Sequence, residues 1–259
     1  MKKIVNFMFV IMLILPFIVK AEEQDNFVKV AETVKYFKTV TIYNNSGVMR
    51  DANMGELTSL TTEVTKEEFD NAEATTSPVD PISSTYTLAE SETTYKRLTT
   101  TIEKNAQYYR YTANLYWKNI PKVRSYDIIG IGHYNDVELY DNTMVIFMQE
   151  YCENTYSCYT SSSGTDVIKE YGTAEVFHLP NDGLISLEQT LTFTVKKAVS
   201  WTITEQTAAG DYAHATKATT SALAAQNFGI GVGGLIIYNA IASYYDTTPS
   251  AIADWGGTW

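Results

Sequence analysis

The stretch Tyr108-Tyr-Arg-Tyr-Thr-Ala-Asn-Leu-Tyr-Trp-Lys118 alternates without a break. Tyr109, Tyr111, Ala113, Leu115 and Trp117 fall on one side, and Arg110, Thr112, Asn114 and Lys118 on the other. A strand turns successive side chains to opposite faces, so this period of two predicts a half-buried strand with an apolar inner face. Leu187 to Lys197 repeats the pattern, with Leu191, Phe193 and Val195 inside and Thr192, Thr194 and Lys196 outside.

Working outward, Tyr95 to Glu103 puts Leu98 and Ile102 on one side, and Asn105-Ala106-Gln107 suits the turn of a hairpin leading into residue 108. Ile128 to Ile131 is a short apolar run beside Gly130 and Gly132, expected to be buried on both faces, and Val145 to Met148 is another. Ala174, Val176 and His178 alternate with Glu175, Phe177 and Leu179, ahead of the turn signal Asn181-Asp182-Gly183. Trp201 to Glu205 is expected to continue the strand pattern. Short strands at this spacing predict an all-β fold, an antiparallel β-sandwich or a barrel-like relative.

Before residue 91 the pattern weakens. Phe27 to Tyr43 predicts one strand, with Val34, Tyr36, Val40 and Ile42 on a common face interrupted by Lys38. Asn44 to Gly47 is a turn signal. Thr65-Lys-Glu-Glu68 has the form of a capping box and predicts a short helix from about residue 66 to 74 in this N-terminal region. Residues 75–84, with Pro78 and Pro81, read as a linker. The expected organisation is therefore a leader at 1–21, an N-terminal region at 22–90 and the β-domain at 91–259.

The leader is expected from Lys2 and Lys3, the apolar run Phe7 to Val19, and Val19-Lys-Ala21 followed by Glu22 and Glu23. A basic front, a short apolar core and a small residue at the exit mark a secretory signal peptide, with cleavage after Ala21. The core is shorter than the roughly 20 residues of a membrane span. Without Lys2, Lys3 and Lys20, 16 basic residues face 30 acidic ones, a net charge of −14. Such a chain does not suit a nucleic-acid partner, whose phosphates require a basic face, nor docking on anionic lipid by charge. In an oxidising compartment Cys152 and Cys158 are expected to form a disulfide at a hairpin tip; a metal site would have only Glu153 beside them.

Three motifs, Arg124-Ser-Tyr-Asp127 running into Ile128-Ile-Gly-Ile-Gly132, Gly210-Asp-Tyr-Ala-His214, and Ser243-Tyr-Tyr-Asp246, resemble uncharacterised secreted β-rich proteins of low-GC Gram-positive bacteria. The resemblance runs from about Glu92 to the C-terminus. It implies compartment and fold type, and no assigned activity.

Chemistry is sparse. His133, His178 and His214 form no metal-binding spacing, and Asp211–His214 or Asp127–His133 can orient a base only if a nucleophile stands nearby, which no GxSxG elbow supplies. No catalytic residue is therefore assigned. The oxygen-rich stretch His133 to Asn142 makes Asp136, Glu138 and Asp141 calcium candidates, calcium being the one cofactor raised, although the spacing is not that of an EF-hand. Nineteen tyrosines invite a binding role. Tyr156 and Tyr159, beside the cysteines, are the expected ligand-facing pair, since exposed aromatics carry sugars and protein partners.

The function expected first is a non-catalytic extracellular module that binds a cell-surface or extracellular component. A membrane-active, pore-forming reading rests on residues 218–245, which hold no charged residue and carry Gly229 and Gly233 as a GxxxG pair. The preferred reading of that segment is an Ala-rich turn or short helix, then a glycine loop, then a buried strand from about Leu235 to Tyr245, because side-chain amides such as Asn227 and Asn239 are costly in hydrocarbon. A secreted hydrolase with an unrecognised site is the third.

Overall fold

The computed structural model describes residues 26–43, 58–73, 75–79, 89–141, 145–180 and 183–259. The leader, the turn at 44–47, the linker beyond Val79, Asn142 and the turn residues Asn181 and Asp182 lie outside them. The chain runs through β1 (Val28–Tyr43), β2 (Thr58–Val64), α1 (Lys66–Asn71), β3 (Thr75–Val79), β4 (Ala89–Lys104), β5 (Tyr109–Trp117) and β6 (Tyr126–His133). It continues as β7 (Val137–Leu139), β8 (Ile146–Asn154), β9 (Ser157–Ser161), β10 (Thr165–Lys169), β11 (Gly172–His178) and β12 (Ser186–Lys197). Last come β13 (Glu205–Ala215), α2 (Ser221–Gln226), β14 (Phe228–Gly231), β15 (Gly234–Ile237), β16 (Tyr245–Thr247) and β17 (Ala251–Gly256). The fold is all-β and antiparallel, and its two short helices lie far apart in sequence, so helix is not confined to the N-terminal region.

A nine-stranded sheet has the order β2-β1-β4-β5-β12-β8-β9, with β3 beside β4 and β7 beside β12. Its centre is the pair read first from the sequence: Leu191 stands opposite Ala113 and Phe193 opposite Tyr111. Burial alternates residue by residue along β5 and β12, as parity predicts. The Asn105 carboxamide accepts from Gln107 and Tyr108 N–H at 2.8 and 2.7 Å and shapes the turn before β5.

β1 pairs with β4 from Val28–Lys104 to Tyr43–Glu90, so the expected boundary at residue 90 falls inside a continuous sheet. Part of the expected linker is strand: Thr75–Val79 pairs with Ala89–Thr93 of β4. Pro78 has no N–H to donate, which a strand paired on one side tolerates. The Thr65 hydroxyl caps α1 by accepting from Glu68 N–H at 3.1 Å, and the helix ends at Asn71 rather than 74. In β1 the buried side chains are Phe37 and Thr39, while Val34 and Ile42 are exposed. The apolar count selects the wrong face there because the interior opposite β1 holds a carboxylate that needs Thr39 as a donor.

A six-stranded sheet has the order β10-β11-β6-β13-β16, with β17 also on β13. One of its faces joins the nine-stranded sheet in a common core that includes Trp117, Leu191, Phe193, Ile129, Ile131, Phe177 and Tyr212. Its other face is covered by α2 and the β14–β15 hairpin, where Phe228, Ile230 and Ala224 pack on Ile128, Val176 and Ala213. Ile128 to Ile131 is therefore buried on both faces, as expected.

Small residues make room for that cover. A methyl group at Gly132 would stand 2.0 Å from the Gly231 carbonyl and 2.9 Å from Gly234 N. Gly234 itself has φ +108°, a conformation glycine adopts without strain. The segment 218–245 thus forms the expected short helix, α2, and a glycine turn that closes the β14–β15 hairpin; the expected strand from Leu235 to Tyr245 stops at Ile237, and a 3₁₀ turn follows at Ala242–Tyr244. No helix among the described residues is long and apolar enough to cross a membrane.

Two further expectations differ. Residues 198–204 are not strand, and Trp201 is exposed; β13 begins at Glu205. Of the run Val145 to Met148, Phe147 turns inward while Ile146 and Met148 face out, because β8 has one covered face.

Candidate functional site

The β8–β9 hairpin carries the expected ligand-facing residues. Cys152 and Cys158 stand directly opposite each other, and their sulfurs are bonded. A cross-link between facing strands holds the hairpin end together, and the Asn154 carboxamide accepts from Tyr156 N–H at 2.9 Å to close the turn. Tyr156 projects from this tip 96% exposed. One pair further in, Tyr151 and Tyr159 face across the strands with ring centroids 5.5 Å apart. Tyr151 lines two cavities of about 300 Å³ each. The first adds Gln149, Glu153, Ser161 and His178 beside Pro180 and Leu184. The second adds Tyr159, Glu150 and Glu188 around the disulfide. Aromatic faces bordered by amide, hydroxyl and carboxylate groups can stack on a ring and bond its hydroxyls.

A second constellation lies inside the molecule. Asp127 on β6 receives the Tyr212 hydroxyl, the Ala215 N–H at 2.8 Å and His214 Nδ1 at 2.9 Å. His214 therefore pairs with Asp127, and not with Asp211 three residues away. Strand alternation explains this: Asp211 and His214 differ by an odd number and point to opposite faces. Burial and the adjoining Asp127 carboxylate push the Tyr212 phenol well above its ordinary pKa, which keeps it a donor. The His214 ring meets the Trp117 indole edge-on at 5.3 Å. The Asp–His part of a triad is present, but it is buried in the common core, and Asp127 is spent on two further donors.

Next to it, Lys96 on β4 lies fully buried with Nζ 3.0 Å from Asp246 Oδ2 on β16. The Asp246 carboxylate also accepts from Thr61 and Thr39. Burial works to raise the Asp246 pKa, but the Lys96 ammonium and the Thr61 hydroxyl outweigh it and hold the carboxyl below its usual value. The ammonium sits 5.1 Å from the Trp117 ring and 5.8 Å from that of Tyr212. Asp127, His214 and Asp246 come from three separate motifs of the sequence and converge here. Lys96 escaped the sequence reading, although its parity with Leu98 and Ile102 places it on the inner face of β4.

The remaining candidates have other partners. Asp211 accepts from Leu235 N–H at 2.7 Å, and burial pushes its pKa up to about 7. His133 is held by the Tyr134 carbonyl at 2.7 Å, and burial lowers its pKa. His178 lines a cavity, with its Nδ1 on the Leu179 carbonyl at 2.6 Å. Asp136 accepts from Gln206, and Glu138 pairs with Lys196 at 3.3 Å. Among the described residues no three His, Cys, Asp or Glu side chains gather to hold a metal ion.

No protein-family model matches the chain, and no curated protein matches it. A solved structure described as "pH-induced modulation of Streptococcus parasanguinis adhesion by Fap1 fimbriae" is similar over 74% of this chain and 92% of that one. Its identity is 14% and its TM-score 0.26, too distant a likeness to carry a fold or a function across.

Proposed function

We propose that this protein is exported, cleaved after Ala21, and acts as a non-catalytic β-sandwich module that binds a saccharide-bearing extracellular component through the β8–β9 hairpin. The observation that carries this reading is Tyr156, almost wholly exposed on a disulfide-tied tip. An unsupported aromatic in water has little reason to be held out by a covalent clamp unless it meets a partner. Tyr151 and Tyr159 extend the same surface into two concave patches with hydrogen-bonding groups at their edges. The buried Asp127–His214 pair has its groups engaged in holding the sheets, which favours binding over hydrolysis. Residues 218–245 bury Phe228 and Ile230 against the six-stranded sheet, which favours structural cover over membrane insertion.

The test is binding of the mature protein to a panel of purified glycans and cell-wall fragments. Tyr156→Ala and Tyr159→Ala are each expected to weaken binding by about threefold to tenfold. Unchanged binding in the double variant removes the hairpin from the reading, and leakage of dye-loaded liposomes at equal concentration replaces it with the membrane-active one.

A further inference from the structure

We propose that Lys96 and Asp246 become joined by a side-chain amide bond, a self-made cross-link between the two large sheets. The reacting groups already touch, with Nζ 3.0 Å from Oδ2 and side chains 0% and 5% exposed. They lie 150 residues apart in sequence, and one comes from the nine-stranded sheet while the other comes from the six-stranded sheet.

An ion pair shut away from water carries a heavy desolvation cost, and condensation abolishes both charges. The step balances within the pair. The Lys96 ammonium gives up two protons, and the Nζ–Cγ bond forms. One Cγ–O bond of Asp246 breaks, and the departing oxygen takes both protons away as water. The nitrogen keeps one hydrogen as an amide N–H. Net charge is unchanged, and no oxidant, reductant or other co-reactant enters.

The surroundings suit that step. The Thr61 hydroxyl donates to both carboxylate oxygens, and Thr39 donates to Oδ2 at 3.2 Å. These donors are aimed at the oxygens that become negative as the tetrahedral intermediate forms. The Trp117 and Tyr212 rings hold the amine in place and exclude water. Orientation fixed in advance is what converts a slow condensation into an intramolecular one. His214 stands directly opposite Asp246 in the β13–β16 register, and its Nδ1 is held by Asp127.

The test is the intact mass of the denatured full chain, compared with its sequence from the observed N-terminus. The expected mass is lower than that of the disulfide-bonded sequence by one water. A tryptic digest is expected to yield one branched peptide containing both Lys96 and Asp246, with no cleavage after Lys96. Lys96→Met and Asp246→Ala are each expected to restore the missing water. If either variant fails to fold, the wild-type digest still decides. A wild-type mass equal to the disulfide-bonded sequence, or a linear peptide ending at Lys96, overturns the proposal.

Discussion

The two large sheets solve the same problem differently. In the nine-stranded sheet one face is covered, and burial alternates along β5 and β12. In the six-stranded sheet both faces are covered, and β6, β11 and β13 are buried almost residue by residue. The first tolerates any polar residue outside and demands bulk inside. The second has no outside over its central strands, so it uses glycine and alanine where the β14–β15 hairpin seats, and it buries titratable side chains among its strands. Asp127, Glu175, Asp211 and His214 all belong to this sheet. A singly covered sheet is specified by its pattern of bulk, and a doubly covered one by its gaps and its polar partners.

Four measurements break or sharpen that contrast. The largest effect is expected at Phe193, fully buried on the inner face of β12 and edge-on to Tyr111 at 5.8 Å. Phe193→Ala is expected to destabilise by about 3–5 kcal/mol in a denaturant titration. A loss below about 1 kcal/mol means that the common core is not shared as described.

Gly132→Ala tests the opposite failing, too much bulk on the doubly covered sheet. The added methyl meets hairpin backbone that cannot rotate away, and about 1–3 kcal/mol is expected to be lost. Faster amide exchange in β14 and β15 should accompany it. A neutral result shows that the hairpin is not seated on β6.

Acidity should separate the sheets as well. Burial, aided by the Asp166 carboxylate, pushes Glu175 from its ordinary value up to about 9. Above about pH 5 the unfolded chain has released this proton, while the folded chain keeps it until about pH 9, so the folded state binds more protons and stability falls as pH rises across that interval. Melting temperature is therefore expected to drop between about pH 7 and about pH 9, and Glu175→Gln is expected to flatten the slope. An unchanged slope in the variant assigns the pH dependence elsewhere. The smallest effect is expected at Thr192, on the outer face of β12 and 3.1 Å from the Thr112 hydroxyl. Thr192→Ala should stay within about 0.5 kcal/mol, and a larger loss means that this face is covered too.

Much of the nine-stranded sheet was legible from parity, since Tyr109 to Trp117 and Leu191 to Val195 alternate as a half-buried strand must. The Asn105 turn, the Thr65 cap, the double burial of Ile128 to Ile131 and the Cys152–Cys158 bond also follow from local chemistry. β1 misled, because its inner face carries Thr39 and Phe37 while Val34 and Ile42 face out. Lys96 was passed over because a lysine counts as a surface residue until its neighbours on the same parity are weighed. For the candidate ligand surface, Tyr156 and Tyr159 were readable from their place beside the cysteines, whereas Tyr151 and its two cavities needed the cross-strand register.

The sequence by itself determined the all-β class, the inward face of the central strands and the disulfide, because each depends on the pleat or on a few neighbouring residues. Only the tertiary structure decided that His214 meets Asp127, that Lys96 meets Asp246, and that the uncharged glycine segment covers a sheet. Those partners lie scores of residues apart, and strand order, which local periodicity does not encode, brings them within bonding distance.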